Sequence, residues 1–172
     1  RWVVVTGSTP VLKSFASEAG NATMGVDTSW YDAEKTEYVL KDAADLYGFA
    51  LLSGETNFEG KTVKLVSDIK VNDGNAAEWA NIAPDYEWVG ISNNSDFAGI
   101  FDGQGYTIRG LYMNTATQYR GMFGGTVASA EVKNFSLANS YLKSTTSRIG
   151  SIAGRGLGTF DTIYSDAIVE GT

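Results

Sequence analysis

The chain has 172 residues, of which 43% are apolar and 19% charged, and its formal net charge is −7. It contains no Cys and no His, which excludes disulfides, thiolate zinc sites, cysteine nucleophiles and catalytic triads that need an imidazole. The acidic balance argues against a nucleic-acid or anionic-lipid partner, because both classes of partner attract basic surfaces. No apolar run approaches the roughly 20 residues of a membrane span.

The first 29 residues predict a strand pair followed by a linker. Two short apolar segments, 2–5 and 11–15, flank a Gly-Ser-Thr-Pro turn. Residues 16–29 are small, polar and aperiodic, which is typical of a linker. We therefore expect residues 1–15 to be the tail of a preceding unit or a segment donated to a neighbour. We also expect the chain to be an excerpt of a longer protein.

A strand and a helix open the main module, which we place at residues 30–172. Glu37–Leu40 is a strand candidate. The spacing of apolar residues in the next segment predicts a helix over 42–53, with Asp42 as its N-cap. Gly54 is suited to end this helix.

Similar glycine-bounded units return from residue 99 onward. They read GIFDGQG with TIRGLYM, then GMFGGTV with EVKNFSL, then GSIAGRG with TFDTIYS. Short strands that repeat every 20 to 30 residues or so are typical of a solenoid, in which each coil packs on the next. The predicted ladders are Ile108/Val132/Phe160, Leu111/Phe135/Ile163 and Ile100/Met122/Ile152. We predict a short all-β parallel solenoid with coils from about residue 60 to residue 172; an antiparallel sandwich is the alternative.

Several strings in this region belong to a recognisable pattern: DAADLYGFALLSG, FEGKTVKLVSDIKV, EWVGI, FAGIFDGQGYTIRGLYMN, RGMFGGTV, EVKNFSLANSYL and IGSIAG. In order and spacing they resemble the GLUG-motif β-helix modules of large bacterial cell-surface, adhesin-like proteins. The resemblance covers about four-fifths of the chain, although Ala153 stands where a bulkier residue is commoner. It implies a right-handed parallel β-helix, a capping role for the helix at 42–53 and an extracellular, cell-surface location. It implies no reaction, because solenoids host many functions.

Aromatic residues are the main candidates for ligand binding. Trp79, Tyr86 and Tyr112 lie in or near a polar insertion or at a predicted coil corner. Exposed aromatic faces can stack on sugars or anchor a protein interface. The alternative is that such rings pack in the core, and for Trp79 the sequence leaves both interpretations open.

A second cluster of candidates consists of oxygen ligands for Ca²⁺. Asp68, Asp73 and Asn75 lie close together in sequence, and Ca²⁺ takes six to eight oxygen ligands. Their spacing matches no known calcium loop, so a solvated polar loop is the favoured interpretation. We expect no metal and no cofactor, with Ca²⁺ as the one possibility left open.

Catalysis would need two carboxylates that flank a sugar, as in glycosidases. The outward-facing candidates are Asp96, Asp102, Asp161 and Asp166. However, the aligned row of Arg109, Lys133 and Asp161 predicts a surface of mixed charge instead of a converging acid pair. Asp102, in an Asp-Gly pair at a strand end, is more typical of a turn.

The sequence thus favours a non-catalytic extracellular module, an adhesin or stalk that presents loops to a glycan or host protein. One alternative is a polysaccharide-acting β-helix enzyme or a carbohydrate-binding module. Another is a self-assembling filament subunit whose residues 1–15 engage a neighbouring copy. We expect neither a nucleic-acid partner nor insertion into a membrane.

Overall fold

The computed structural model describes residues 24–92 and 95–171, together with the backbone of residues 2–3 and 11–12. It consists mostly of strands in a parallel β-solenoid of about five turns, with one α-helix, α1 (Ala43–Leu52). A single 3-10 turn spans Ala76–Glu78. The strands are β1 (Trp2–Val3), β2 (Val11–Leu12), β3 (Glu37–Leu40), β4 (Thr62–Leu65), β5 (Ile69–Lys70), β6 (Ile100–Asp102), β7 (Thr107–Arg109), β8 (Tyr112–Thr115), β9 (Phe123–Thr126), β10 (Glu131–Ala138), β11 (Tyr141–Ser144), β12 (Ala153–Gly156), β13 (Thr159–Ser165) and β14 (Ile168–Gly171).

Parallel pairing between successive coils builds the solenoid. One sheet stacks β3, β4, β6, β10 and β13 in that order, and β5 and β7 extend it beside the second half of β10. Two further stacks, β8–β11–β14 and β9–β12, form other faces. Every pairing among β3–β14 is parallel, so the predicted solenoid is confirmed and the antiparallel sandwich is wrong for these residues. The expected strand pair at the N-terminus is present as β1 and β2, which are antiparallel.

An apolar ladder runs through the main sheet. Its inward-pointing residues share one register across the five coils and are Tyr38, Val63, Phe101, Val132 and Phe160. The first four are buried, because each is covered by the coil on either side or by the core. Phe160 belongs to the last coil of the stack and stays exposed.

The register differs in part from the predicted ladders. The steps Val132/Phe160 and Phe135/Ile163 are confirmed. Ile108 is not in the first ladder, because it pairs with Leu137.

The other two ladders also need correction. Ile100 pairs with Glu131 and so lies outside the third ladder. Leu111 is not part of the second, since its carbonyl accepts from the Tyr141 backbone N–H at 2.8 Å. The step from Met122 to Ile152 agrees with the register of their neighbours, Phe123 and Ala153.

The misalignment has a physical cause in the turn between β6 and β7. Both of these strands lie beside the single longer strand β10, so GIFDGQGYTIR as a whole is the equivalent of EVKNFSLA. Gln104 and Gly105 take positive φ values of 54° and 83° in this turn. Asn134 and Thr162 also take positive φ in the following two coils, so these three coils bend at the same place.

The predicted helix is confirmed, and it is embedded in the core. Asp42 caps α1, since its side chain accepts from the Asp45 backbone N–H at 3.1 Å. Phe49 is fully buried in the middle of the helix. Its ring contacts the rings of Trp30, Phe58, Phe97, Phe101 and Phe123. The helix therefore joins the aromatic residues of several coils into one cluster.

Asp45 is an acidic residue inside this core. Its side chain is only 2% exposed, and one carboxylate oxygen accepts from the Lys41 backbone N–H at 2.9 Å. The other oxygen, Oδ1, has no hydrogen-bond partner among the described residues. Burial raises the pKa of this carboxyl, against the lowering effect of the Lys41 hydrogen bond.

We expect the variant Asp45→Asn to change how stability depends on pH. Because the folded state holds the Asp45 proton more tightly than the unfolded chain, the contribution of Asp45 to the free energy of unfolding falls as the pH rises from about 4. Asp45→Asn has no carboxyl group at this position that could lose a proton. The free energy of unfolding of the variant minus that of the wild type should therefore increase as the pH rises from about 4 to about 7. Urea unfolding at several pH values measures this, with Asp85→Asn as an exposed control. A difference that is independent of pH would contradict the prediction.

Candidate functional site

Two bulky residues occupy strained positions at one corner of successive coils. Arg120 and Ile149 form a parallel bridge, which places Tyr119 beside Arg148 in register. Tyr119 and Arg148 have φ values of 57° and 70°. The left-handed region costs an L-residue about 1–2 kcal/mol, so both side chains are held here by their surroundings.

Tyr119 holds two cations over its ring. The guanidinium carbon of Arg148 lies 4.7 Å from the ring centroid, and that of Arg155 lies 5.3 Å from it. Both distances are within the range of cation–π attraction. The corner therefore concentrates two arginine side chains in a chain with a net charge of −7.

Asp96 fixes the second of these arginines. Its Oδ2 forms an ion pair with Nη2 of Arg155, and this hydrogen bond raises the pKa of the guanidinium. Gly125 makes room for the Asp96 carboxylate, because a Cβ at this position would lie 2.1 Å from Asp96 Oδ1. Arg148 forms no ion pair with an acidic side chain among the described residues, and its guanidinium lies over the Tyr119 ring.

A cleft of about 140 Å³ opens beside this group. It is lined by Ser92, Ser95, Asp96, Tyr119, Gly124, Gly125 and Arg155. We call these residues, together with Arg148, the Tyr119 cleft.

Ser92 lines the Tyr119 cleft, and its own hydroxyl is buried. The residue is 2% exposed, and its Oγ has no hydrogen-bond partner among the described residues. Its backbone N–H donates to Ser53 Oγ at 2.6 Å, and Ser95 Oγ donates to the Ser53 carbonyl at 2.9 Å. A buried polar atom without a partner is uncommon in folded proteins.

The Tyr119 cleft is chemically suited to bind a small anionic group. Guanidinium groups are complementary to carboxylates, because the two groups have opposite charges and planar geometries that allow paired hydrogen bonds. The partly exposed carboxylate of Asp96 adds an acceptor for hydroxyl groups. The volume is below the 300 Å³ or so of a drug-sized pocket, which suits one sugar ring or one acidic group.

The aromatic candidates from the sequence are placed differently from this cleft. Trp79 and Tyr112 are 5% and 3% exposed and pack edge to face, with centroids 6.2 Å apart. Tyr112 also stacks on Tyr141 at 6.0 Å. The sequence left two interpretations open for Trp79, an exposed ring and a buried ring, and the structure shows the buried ring. The ring faces of Trp79 and Tyr112 are therefore covered. Tyr86 is half-buried against the main core.

The candidate calcium ligands already have hydrogen-bond partners. Asp68 Oδ1 accepts from the Thr107 backbone N–H at 2.8 Å, and Asp73 pairs with Lys70 at 2.7 Å. Asn75 accepts from the Ala77 backbone N–H at 3.1 Å and caps the 3-10 turn. Within residues 24–92 and 95–171, no three acidic side chains gather as a metal site would require.

The candidate catalytic carboxylates are also dispersed in structural roles. Asp102 accepts from the Gln104 backbone N–H at 3.0 Å and from Asn134 Nδ2 at 3.1 Å, which is the turn role expected from the sequence. Burial raises the pKa of Asp102, but these hydrogen bonds outweigh it and lower the pKa overall. Asp166 accepts from the Asn139 backbone N–H at 2.8 Å.

The outward row of charges differs from the predicted one. Arg109 is not part of it, because it pairs with Ala138 and Lys70. The row in register is Lys64, Asp102, Lys133 and Asp161, in which the sign alternates from strand to strand.

The Tyr119 cleft was not predicted from the sequence. A signal was present, since Tyr119-Arg120-Gly121 and Arg148-Ile149-Gly150 begin two successive repeat units.

The chain is similar to a distant relative among known proteins. No family model matches the chain, and no solved structure matches it. A protein of Evansella cellulosilytica named "Putative Gly-rich membrane protein" is 27% identical over 156 residues, which is 89% of this chain and 17% of that protein. The chain thus spans less than a fifth of the length of this relative. None of the helices in the described part of this chain is long and apolar enough to cross a membrane.

We expect Gly125→Ala to disturb the Tyr119 cleft. The new methyl group would meet the Asp96 carboxylate, which must move away from Arg155. Overpacking of this kind costs about 1–3 kcal/mol. Urea unfolding measures the loss, and Gly25→Ala is the matched control, because nothing lies within 4 Å of the Cβ that it adds. Equal stability of both variants would contradict the described geometry.

Proposed function

We propose that this chain is a non-catalytic, extracellular module of a bacterial surface protein, which displays the Tyr119 cleft to an acidic glycan. The observation that carries the proposal is the pair of guanidinium groups, Arg148 and Arg155, over one tyrosine ring at a cleft that Asp96 also lines. In a chain of net charge −7, this corner is suited to attract an anionic group.

The chemistry of the cleft favours an acidic sugar over an acidic peptide. A uronic acid carries one carboxylate for the guanidinium groups and several hydroxyls. Asp96 can accept from such a hydroxyl. An aspartate or glutamate side chain would use the arginines but has no hydroxyl from which Asp96 could accept a hydrogen bond.

The location and the finer fold are part of the same proposal. The resemblance to GLUG-motif modules supports a place on a bacterial surface, and the relative described as a Gly-rich membrane protein agrees with it. We propose a right-handed solenoid, as the same resemblance implies. We also propose that α1 caps the N-terminal end, which is consistent with the burial of its central residues.

We expect the chain to bind an oligogalacturonate and Arg148→Ala to weaken that binding. Hydrogen bonds to charged groups contribute about 1.5–3 kcal/mol, so the dissociation constant should rise at least tenfold. Isothermal titration calorimetry at low salt measures it. Arg109→Ala is the matched control, because Arg109 is exposed on β7 and far in register from the cleft.

Two further titrations separate the outcomes. A neutral oligosaccharide of the same length should not bind detectably, because it lacks the carboxylate. Poly-glutamate that binds as tightly as the oligogalacturonate would contradict a glycan-specific site. Absence of binding to oligogalacturonate, or an equal effect of Arg148→Ala and Arg109→Ala, would overturn the function assigned to the cleft.

A further inference from the structure

Ser53 is a fully buried polar residue at the C-terminal end of α1. Its backbone N–H donates to the Phe49 carbonyl at 2.9 Å and so closes the last turn of the helix. Its hydroxyl donates to the Ala50 carbonyl at 2.7 Å. A serine hydroxyl combines one donor with two acceptor sites. The helix therefore fixes the place of the Ser53 oxygen, and this oxygen can still accept a hydrogen bond.

One wall of the Tyr119 cleft is hydrogen-bonded to Ser53. The Ser92 backbone N–H donates to Ser53 Oγ at 2.6 Å, and Ser95 Oγ donates to the Ser53 carbonyl at 2.9 Å. Both Ser92 and Ser95 line the cleft, and Asp96 directly follows Ser95. Because Ser53 is fully buried, it supports this wall from the side of the core.

Pairing with β9 supports the same wall from a second direction. Ile91 and Phe97 each form an isolated parallel bridge with a residue of β9. Asp96 directly precedes the second of these bridges. The backbone at Asp96 is thus held between sheet pairing on one side and the hydrogen bonds of Ser53 on the other.

We infer that Ser53 is the positioning residue of the Tyr119 cleft, which holds the Asp96 carboxylate in place through Ser92 and Ser95. A displaced Asp96 loses its ion pair with Arg155 and no longer presents an acceptor to a ligand hydroxyl. The preference for an acidic sugar over an acidic peptide therefore depends on the end of α1. This last step rests on the function proposed for the cleft.

Ser140 provides a matched control away from the Tyr119 cleft. It is also fully buried, and its hydroxyl donates to the Ala138 carbonyl at 2.9 Å. The same hydroxyl accepts from the Leu111 backbone N–H at 3.0 Å. Ser53→Ala and Ser140→Ala each remove a buried hydroxyl with one backbone carbonyl and one backbone N–H as partners, so their general cost in stability should be similar. A difference between them at the cleft then measures positioning.

Side-chain NMR of Arg155 tests the position of Asp96 without a ligand. In the wild type, the guanidinium N–H groups of Arg155 should exchange slowly with water, because Asp96 accepts from Nη2. Ser53→Ala should lose this protection and reach the exchange rate of Asp96→Asn, whereas Ser140→Ala should keep the wild-type rate. Equal exchange rates in Ser53→Ala and Ser140→Ala would overturn the inference.

Binding measurements test the consequence for specificity. Ser53→Ala should lower the affinity for oligogalacturonate relative to poly-glutamate about tenfold, because only the sugar has a hydroxyl for Asp96. An affinity ratio equal to that of Ser140→Ala would overturn the role of Ser53 in specificity. If the wild type binds neither ligand, the function proposed for the cleft is wrong, and the exchange rates of Arg155 alone decide whether Ser53 positions Asp96.

Backbone hydrogen exchange of the wild type gives a result even if Ser53→Ala does not fold. The Ser92 amide should be as strongly protected as the Leu111 amide, because each donates to the hydroxyl of a buried serine. A Ser92 amide that exchanges as fast as an exposed loop would show that Ser53 does not hold this wall and would overturn the inference.

Discussion

Parallel stacking of one coil on the next is the constraint on which this structure depends. A single coil cannot bury its apolar side chains, and Val63, Phe101 and Val132 reach full burial only because each lies between two neighbours in register. Phe49 adds a second connection, since α1 inserts its ring among those of several coils. Stability in such a molecule is shared between neighbouring coils, and the two ends of the stack differ chemically from its middle.

The same register creates the Tyr119 cleft. Tyr119 and Arg148 are distant in sequence, and they meet because Arg120 and Ile149 pair across two coils. Asp96 and Arg155 are brought together through the stack of β9 and β12, where Gly125 leaves space for the carboxylate. The site is therefore a property of the stacking, and no single loop contains it.

The periodic spacing of apolar residues predicted the helix and the solenoid. Insertions between the strands made the register of the strands only partly predictable. The helix at 42–53 was predictable because its cap at Asp42 and its apolar spacing are local features. The register was only partly predictable, because the turn at Gln104 lets β6 and β7 share one neighbouring strand. An alignment of Ile108 with Val132 was therefore wrong although both lie in repeated strings. The cleft could not be found before the register was known.

The most direct test compares two engineered pairs of cysteines, because a disulfide forms only where the two positions are neighbours in the strand register. Asp102 and Lys133 are paired in the structure, and parallel neighbours lie about 4.8 Å apart, within the range of a disulfide. A chain with Asp102→Cys and Lys133→Cys should oxidise to an intramolecular disulfide and stay folded. A chain with Arg109→Cys and Lys133→Cys, the register that the sequence alone suggested, should not. Cross-linking of the second pair and failure of the first would contradict the described stacking.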